Sequence, residues 1–426
     1  MGILLKNLRI KNFNEEIYSA DILIENGVIK QIGVIDKSNH EVVEMNEALC
    51  MPGFFDMHVH FREPGYEQAE TLETGALAAA NGGFTSVAIM PNTEPALDNA
   101  EMISSIKKKS EKFITDIYPI GAVTKERKGE TLAPLLEMLE AGAVAFSDDG
   151  VAVKTSQLLR NALEYSAMKN APIIEHCEDA SLAGGAMNES HVSTELGLPP
   201  LPSLAEELIV ARDILVAEYV GAKIHVAHVS TARSVELIRD AKKRGVKITA
   251  EVTPHHFTLT ENAVRGYDTN FKMNPPLRSK ADVNAILEAL KDGTIDVIAS
   301  DHAPHASEDK EVEFVYAPNG IIGLETEIGL AFTELYHKGI LTLDDLLTKF
   351  VINPRKILNV KVPEISVGAK AELTFVAPDE VWTVDASKFK SKSRNTPFDK
   401  KILTGKPLGI FNNGSLFLNG EFVYLN

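Results

Sequence analysis

The chain has 426 residues, 44% of them hydrophobic and 24% charged, with a net charge of −17. That length exceeds one small domain and can bury a large core. The acidic balance excludes a broad basic face for nucleic acid, and it means that any anionic ligand needs local cations.

Only two cysteines occur, Cys50 and Cys177, with no framework spacing. Both read as small buried thiols in a reducing, cytoplasmic compartment. The N-terminal stretch lacks the apolar core and cleavage site of a secretory signal, and no run reaches the ~20 apolar residues of a membrane span.

Residues 3–49 read as short strands and hairpins. Ile22-Leu23-Ile24 and Val28-Ile29-Lys30-Gln31-Ile32 flank Glu25-Asn26-Gly27, an Asn-Gly hairpin signal. From residue 50 apolar β-branched runs alternate with helical patterns. Strands are expected near 53–60, 84–90, 114–122, 143–148, 172–177, 223–229, 247–253 and 295–301. Helices are expected over 67–81, 98–110, 131–141, 155–169, 203–220, 231–244 and 280–291. Eight doubly buried strands with crossover helices over about 250 residues predict an α/β fold, a (β/α)8 TIM barrel. An open doubly wound sheet is the main competitor, and its Gly-x-Gly-x-x-Gly turn is missing.

Further helices follow at 325–336 and 342–350, and Asn353-Pro354-Arg355 opens another. Beyond Val362 the β character returns, with a clear strand at Ala371-Glu372-Leu373-Thr374-Phe375-Val376. The two chain ends are expected to meet as one small β-sandwich domain, 1–50 plus 363–426, around a catalytic barrel at 51–362. The longest poorly structured pieces, 178–202 and 302–320, follow barrel strands. They fall on the C-terminal face, where barrel active sites sit.

Residues 53–62 read as a buried strand ending in His58-Val59-His60-Phe61-Arg62. Alternation puts His58 and His60 on one face, with Arg62 next. Two imidazoles at a strand end suit a divalent metal such as zinc, and Arg62 offers a fork for a carboxylate. Alone, the same residues describe a strand with two hydrogen-bonded histidines. The other strand ends change the balance: Asp148-Asp149-Gly150, Glu175-His176-Cys177, Ala227-His228-Val229-Ser230 and Ser300-Asp301-His302. Histidines buried in a core would each need a partner.

Two metals are consistent with the charges. One of Asp148 and Asp149 as a bridge, and Asp301 as a ligand that also shuttles a proton, would offset the positive charge. Metal-bound water ionises near roughly pH 7. The bland reading of Asp148-Asp149-Gly150 is an Asp-Gly turn. Lys154, near a helix start, reads as a solvated lysine rather than a carboxylated bridge. By strand parity His225 faces the barrel wall, His255 and His256 find no ligand slot, and Cys177 reads as packing.

The chain resembles the dihydroorotases of the longer bacterial class (class I), in the cyclic amidohydrolase superfamily. The resemblance rests on His58-Val59-His60-Phe61-Arg62-Glu63-Pro64-Gly65, Met90-Pro91-Asn92-Thr93, Asp148-Asp149-Gly150, Glu175-His176-Cys177-Glu178-Asp179 and His228-Val229-Ser230-Thr231. It continues through Thr253-Pro254-His255-His256, Lys272-Met273-Asn274-Pro275-Pro276-Leu277-Arg278, Ser300-Asp301-His302-Ala303-Pro304-His305 and Gly323-Leu324-Glu325-Thr326.

The resemblance implies two zinc ions bridged by Asp149 and a hydroxide. His58 and His60 would hold the first and His176 and His228 the second, with Asp301 as a ligand of the first and as acid and base. Arg62, Asn92 and His305 would hold a substrate carboxylate, while Asn274, Asn319 and Gly320 contact the ring. The implied reaction is reversible cyclisation of N-carbamoyl-L-aspartate to L-dihydroorotate. The implied partners are a second copy of the chain and, as in some relatives, aspartate transcarbamoylase. Two departures, Arg355 after Asn353-Pro354 and Asp399-Lys400 after Phe398, concern local structure.

Two rivals stand beside this reading. A hydantoinase- or allantoinase-like enzyme would carry a bridging lysine where this chain has Asp148-Asp149-Gly150. A silent assembly partner would have lost ligands that are all present here.

Overall fold

The middle of the chain forms eight short parallel strands in the computed structural model, which describes residues 2–36 and 40–424. They are β1 (Phe54–Val59), β2 (Phe84–Ile89), β3 (Asp116–Pro119), β4 (Phe146–Ser147), β5 (Ile173–Glu175), β6 (Ile224–Val226), β7 (Ile248–Val252) and β8 (Val297–Ile298). β1 and β2 are buried at every position, as parallel strands covered on both faces must be. β1–β3 pair in order, and so do β4–β8. Two single bridges complete the ring, Gly121 beside Phe146 and Val59 beside His302. This is the (β/α)8 barrel expected from the pattern.

The helices follow the strands: α1 (Leu72–Gly82), α2 (Ala100–Ser110), α3 (Leu135–Glu140), α4 (Ser156–Ala167), α5 (Leu204–Val220), α6 (Ala232–Lys243), α7 (Lys280–Asp292) and α8 (Leu324–Ala331). α1 starts later than the 67 expected. Thr71 caps it through Thr74, and the residues before it are held elsewhere. The Glu70 carboxylate is taken by Thr74, Ser391 and His302, which fixes that segment outside the helix.

Both chain ends enter one nine-stranded sheet. Its order in space is Glu421–Tyr424, Ser415–Leu418, Ile402–Asn412, Leu373–Thr383, Leu49–Pro52, Gly2–Ile10, Tyr18–Glu25 and Val28–Gly33, with Glu41–Glu44 paired alongside Gly2–Ile10. The predicted hairpin is present. Asn26 and Gly27 both take left-handed φ values, 51° and 71°, as a type I′ turn requires. Lys400 is also left-handed, at φ 64°, a conformation that glycine adopts at lower cost.

Arg355 joins the two parts. It is buried at the N-terminal floor of the barrel and paired with Glu372, next to the sheet. Its guanidinium lies 5.2 Å from the Phe55 ring centre and 3.4 Å from the Thr85 and Ser86 hydroxyls.

The two segments expected to lack structure are ordered by side-chain contacts, most of them from distant residues. Within 178–202, Met187–Asn188 pairs with Pro200–Leu201 across a short helix, His191–Leu196. Arg278 donates to Asn188 and to the Leu201 carbonyl, at 2.9 and 3.2 Å. Within 302–320, Lys272 donates to the Val315 and Ala317 carbonyls at 2.7 and 2.6 Å, and Lys310 to Pro318 at 2.8 Å. Both cysteines are free and buried. Among the described residues no helix is long and apolar enough to cross a membrane.

Candidate active site

Five strand ends deliver side chains to one place on the C-terminal rim. His58 is the penultimate residue of β1, and His60 follows the strand. Asp149 follows β4, His176 follows β5, His228 follows β6 and Asp301 follows β8. Three overlapping sets, His58–His60–Asp149, His58–His228–Asp301 and Asp149–His176–His228, each bring their donor atoms within 4.8 Å of one another. His58 Nε2 lies 3.5 Å from both Asp149 Oδ1 and Asp301 Oδ1. His60 Nε2 lies 3.0 Å from Asp301 and 3.5 Å from Asp149. His176 Nδ1 and His228 Nε2 are 3.0 Å apart, each 3.9 Å from Asp149 Oδ1. Donors on one tetrahedral ion at about 2.1 Å stand about 3.4 Å from each other.

The chain bends to make this arrangement. Arg62, His228 and Asp301 take left-handed φ values of 58°, 30° and 48°. Such conformations are uncommon outside glycine and cluster at functional sites. Strand parity therefore does not bring Arg62 in, as the sequence reading expected. β1 ends at Val59, and the left-handed turn at Arg62 redirects the side chain.

The donor set fits a divalent cation. His58 Nε2 and Asp149 Oδ1 are buried without a hydrogen-bond partner, and buried polar atoms are nearly always satisfied. The geometry also separates the two neighbouring aspartates. Asp148 accepts from the Val123 and Thr124 amides at 3.0 Å and from the Thr124 hydroxyl at 2.6 Å. Its carboxylate is used up by the backbone, whereas Asp149 faces the imidazoles. Lys154 is exposed.

Sequence reasoning missed the carboxylate behind this cluster. Glu251 on β7 is fully buried and takes His58 Nδ1. Its other oxygen lies 3.2 Å from His225 Nε2, and His225 Nδ1 meets the Thr249 hydroxyl at 2.8 Å. The His228 amide also donates to Glu251, at 3.4 Å. A carboxylate on Nδ1 fixes the ring and leaves the Nε2 lone pair aimed at the cluster. Asn92 serves His60 in the same way, accepting from Nδ1 at 2.7 Å. The signal for Glu251 was a lone acid within an apolar strand, Ile248-Thr249-Ala250-Glu251-Val252.

Electrostatics match these contacts. Burial would raise Asp301 and Asp149, but the surrounding imidazoles, His58 foremost, hold both below the usual carboxylate range. Burial and the neighbouring His176 push His228 down to about 3, so it is a neutral donor at pH 7. Burial would lower His58 too, but Glu251, Asp301 and Asp149 outweigh it and raise His58 to about 10. The cluster thus attracts positive charge.

Beside it opens a cavity of about 670 Å³ lined by Arg62, Asn92, Arg127, His305 and Tyr316, among others. Arg62 is oriented by the Pro304 carbonyl, which accepts from Nε at 3.1 Å. Burial and the Arg62 charge push His305 down to about 3. His305 Nε2 donates to the Asn319 carbonyl at 2.8 Å. Gly320 packs so closely that an added Cβ would stand 2.7 Å from that of Ala303. Asn274 lies 3.4 Å from His176 Nε2 and donates to Glu178 at 2.9 Å. The structure therefore brings Arg62, Asn92 and His305 into the cavity lining, while Asn274 borders the imidazole–carboxylate cluster. Arg127, a second cation in the lining, had no sequence signal. It reaches the Asp149 carbonyl at 2.5 Å. His255 is buried beside His256, and its Nε2 has no partner.

Known proteins share this chain's sequence and fold. The Dihydro-orotase-like family model matches residues 47–234. A dihydroorotase of Pelotomaculum thermopropionicum is 51% identical over 410 residues, 96% of each chain. One of Syntrophus aciditrophicus is 50% identical over 412 residues, 95% of this chain and 96% of its own. Among solved structures, the L-hydantoinase (dihydropyrimidinase) of Arthrobacter aurescens gives a TM-score of 0.87 at 26% identity, covering 99% of this chain and 97% of its own. The D-hydantoinase (dihydropyrimidinase) of a Thermus species gives 0.84 at 25%, with the same coverage. The chain is a cyclic amide hydrolase and belongs to the dihydroorotase family.

Proposed function

We propose that this chain is a zinc-dependent dihydroorotase that interconverts N-carbamoyl-L-aspartate and L-dihydroorotate in pyrimidine biosynthesis. One observation carries the reading: a cavity lined by Arg62, Asn92 and His305 lies beside four imidazoles and two carboxylates with buried, unpartnered donors. These residues would suit two zinc ions, with His58, His60 and Asp301 as donors to one, His176 and His228 as donors to the other, and Asp149 as a further donor. Bound zinc would polarise a carbonyl and acidify water.

The chain's own groups do the rest. Arg62 forks the substrate carboxylate, with Asn92 and neutral His305 beside it. Asn274, Asn319 and Gly320 meet the ring. In ring opening the amide C–N bond breaks and a carboxylate forms. Asp301 takes a proton from the attacking water and returns it to the departing ring nitrogen. Ring closure consumes one carboxylate and one proton, so each unit fall in pH favours the ring about tenfold. To test the metal requirement, ring closure is followed by chromatography before and after chelation. Loss of closure that zinc restores is expected; closure unaffected by complete metal removal would overturn the reading.

A hydantoinase-like activity is favoured by the structural likeness alone. Asp149 and the Arg62, Asn92 and His305 group speak for a carboxylated ring. The proposed domains are 1–50 plus 363–426 and 51–362, supported by separate apolar clusters in sheet and barrel. A homodimer and a cytoplasmic setting complete the reading, the latter supported by two free, buried cysteines. Association with aspartate transcarbamoylase rests on the resemblance.

A further inference from the structure

Away from the cavity, inward arginines of this chain are matched by acids. Arg212 lies 2.7 Å from Asp213, and Arg355 is paired with Glu372. The two arginines of the cavity lining differ. Their acceptors are backbone carbonyls: Pro304 for Arg62 at 3.1 Å, and Asp148 and Asp149 for Arg127 at 3.3 and 2.5 Å. Among the described residues neither forms an ion pair, and no protein group accepts from Arg127 Nη1. Burial foremost, and the Arg127 charge with it, disfavour the Arg62 cation despite the pull of Asp301 and Asp149. Glu308 and Asp309 line the same cavity but are exposed, where water and salt screen them. A chain of net charge −17 thus keeps two unpaired cations in one cavity.

The backbone bends to put Arg127 there. Glu126 and Arg127 take successive left-handed φ values of 52° and 56°, which neither side chain favours. The loop around them is tied to Asp148, whose carboxylate accepts from the Val123 and Thr124 amides and the Thr124 hydroxyl. The Gly129 amide closes it on Thr124 Oγ1 at 3.0 Å. Strained backbone of this kind collects at ligand sites. The contact with the Asp149 carbonyl sets the guanidinium at the edge of the imidazole–carboxylate cluster.

We propose that Arg127 binds substrate and pairs with its second carboxylate, so that the site prefers open, doubly charged N-carbamoyl-L-aspartate to the singly charged ring. The inference rests on the dihydroorotase reading above. The charge count carries it. N-carbamoyl-L-aspartate has two carboxylates and L-dihydroorotate has one, since ring closure turns one carboxylate into an amide carbonyl. Arg62 takes the carboxylate that both molecules share. The other reacts at the cluster, and Arg127 is the cation at the cluster's edge. Its guanidinium offers directed N–H donors as well as charge. Closure removes the negative charge, so the contact weakens as the ring forms.

Binding constants test this better than rates, because the equilibrium constant ties the kcat/KM values of the two directions together. Ring opening of L-dihydroorotate is measured with N-carbamoyl-L-aspartate as competitive inhibitor. Arg127→Gln should raise the inhibition constant about tenfold, the loss of one charged hydrogen bond, and change KM for dihydroorotate by less than about threefold. Arg127→Lys keeps the charge without the fork over the two carbonyls, and should stay within about threefold of the parent on both constants. Added salt should weaken inhibition of the parent more than inhibition of Arg127→Gln. Zinc per chain should be equal in all three proteins. Zinc lost from Arg127→Gln, equal shifts of both constants, or Arg127→Lys as weak as Arg127→Gln would each mark Arg127 as a brace for Asp149 and overturn this proposal alone. A parent that opens hydantoin and not dihydroorotate would overturn the dihydroorotase reading and this proposal with it.

Discussion

At the barrel floor, Arg355 and Glu372 satisfy each other, with Thr85, Ser86 and the Phe55 ring around the guanidinium. At the rim, His58, His60, His176 and His228 crowd Asp149 and Asp301, yet His58 Nε2 and Asp149 Oδ1 have no partner. Burying charge is costly in both places unless it is paired. The floor meets that cost internally and so joins barrel to sheet. The rim is held in place by the fold, with donor atoms left free to take a cation. The difference teaches that charge burial alone does not mark a site; several imidazoles and carboxylates converging with unpartnered atoms do.

Substitutions at the two ends should therefore fail differently. Asp301→Asn is expected to lower turnover by roughly 10²- to 10⁴-fold, with thermal unfolding close to that of the parent. Near-normal turnover would remove Asp301 from the chemistry. At the floor, Arg355→Met removes the buried guanidinium from half-buried Glu372, which keeps the Thr85 hydroxyl, and should cost about 1–3 kcal/mol in urea unfolding. The folded fraction should keep its activity, and a large fall in kcat would show that the two ends are coupled.

Glu251→Gln probes the layer behind the rim. It should weaken metal binding by about ten- to a hundredfold in chelator competition; unchanged affinity would make Glu251 a packing residue only. Arg62→Met is expected to raise KM for the carboxylated substrate about tenfold, the cost of one charged hydrogen bond, with metal content retained.

Much of this was legible in the sequence because the physics is local. Doubly buried strands show as apolar runs, and all eight appear where expected. The metal-type residues sit at strand ends, so the barrel's own geometry gathers them. What was not legible depends on contacts between distant segments. Arg62 is turned inward by backbone that strand alternation does not anticipate. The segments 178–202 and 302–320 are shaped by Arg278 and Lys272 from elsewhere in the chain, and the second also by its own Lys310. Glu251 lies between these cases, since an acid inside an apolar strand was visible but its partners, His58 and His225, were not.

The central claim is that Arg62 and its neighbours select a carboxylated ring for the metal-ligand cluster beside them. It is tested most directly by quantifying zinc in the purified chain and comparing kcat/KM for L-dihydroorotate, hydantoin and allantoin under one set of conditions. The account predicts bound zinc and dominant turnover of dihydroorotate, with Arg62→Met narrowing the gap. Dominant turnover of hydantoin would contradict it.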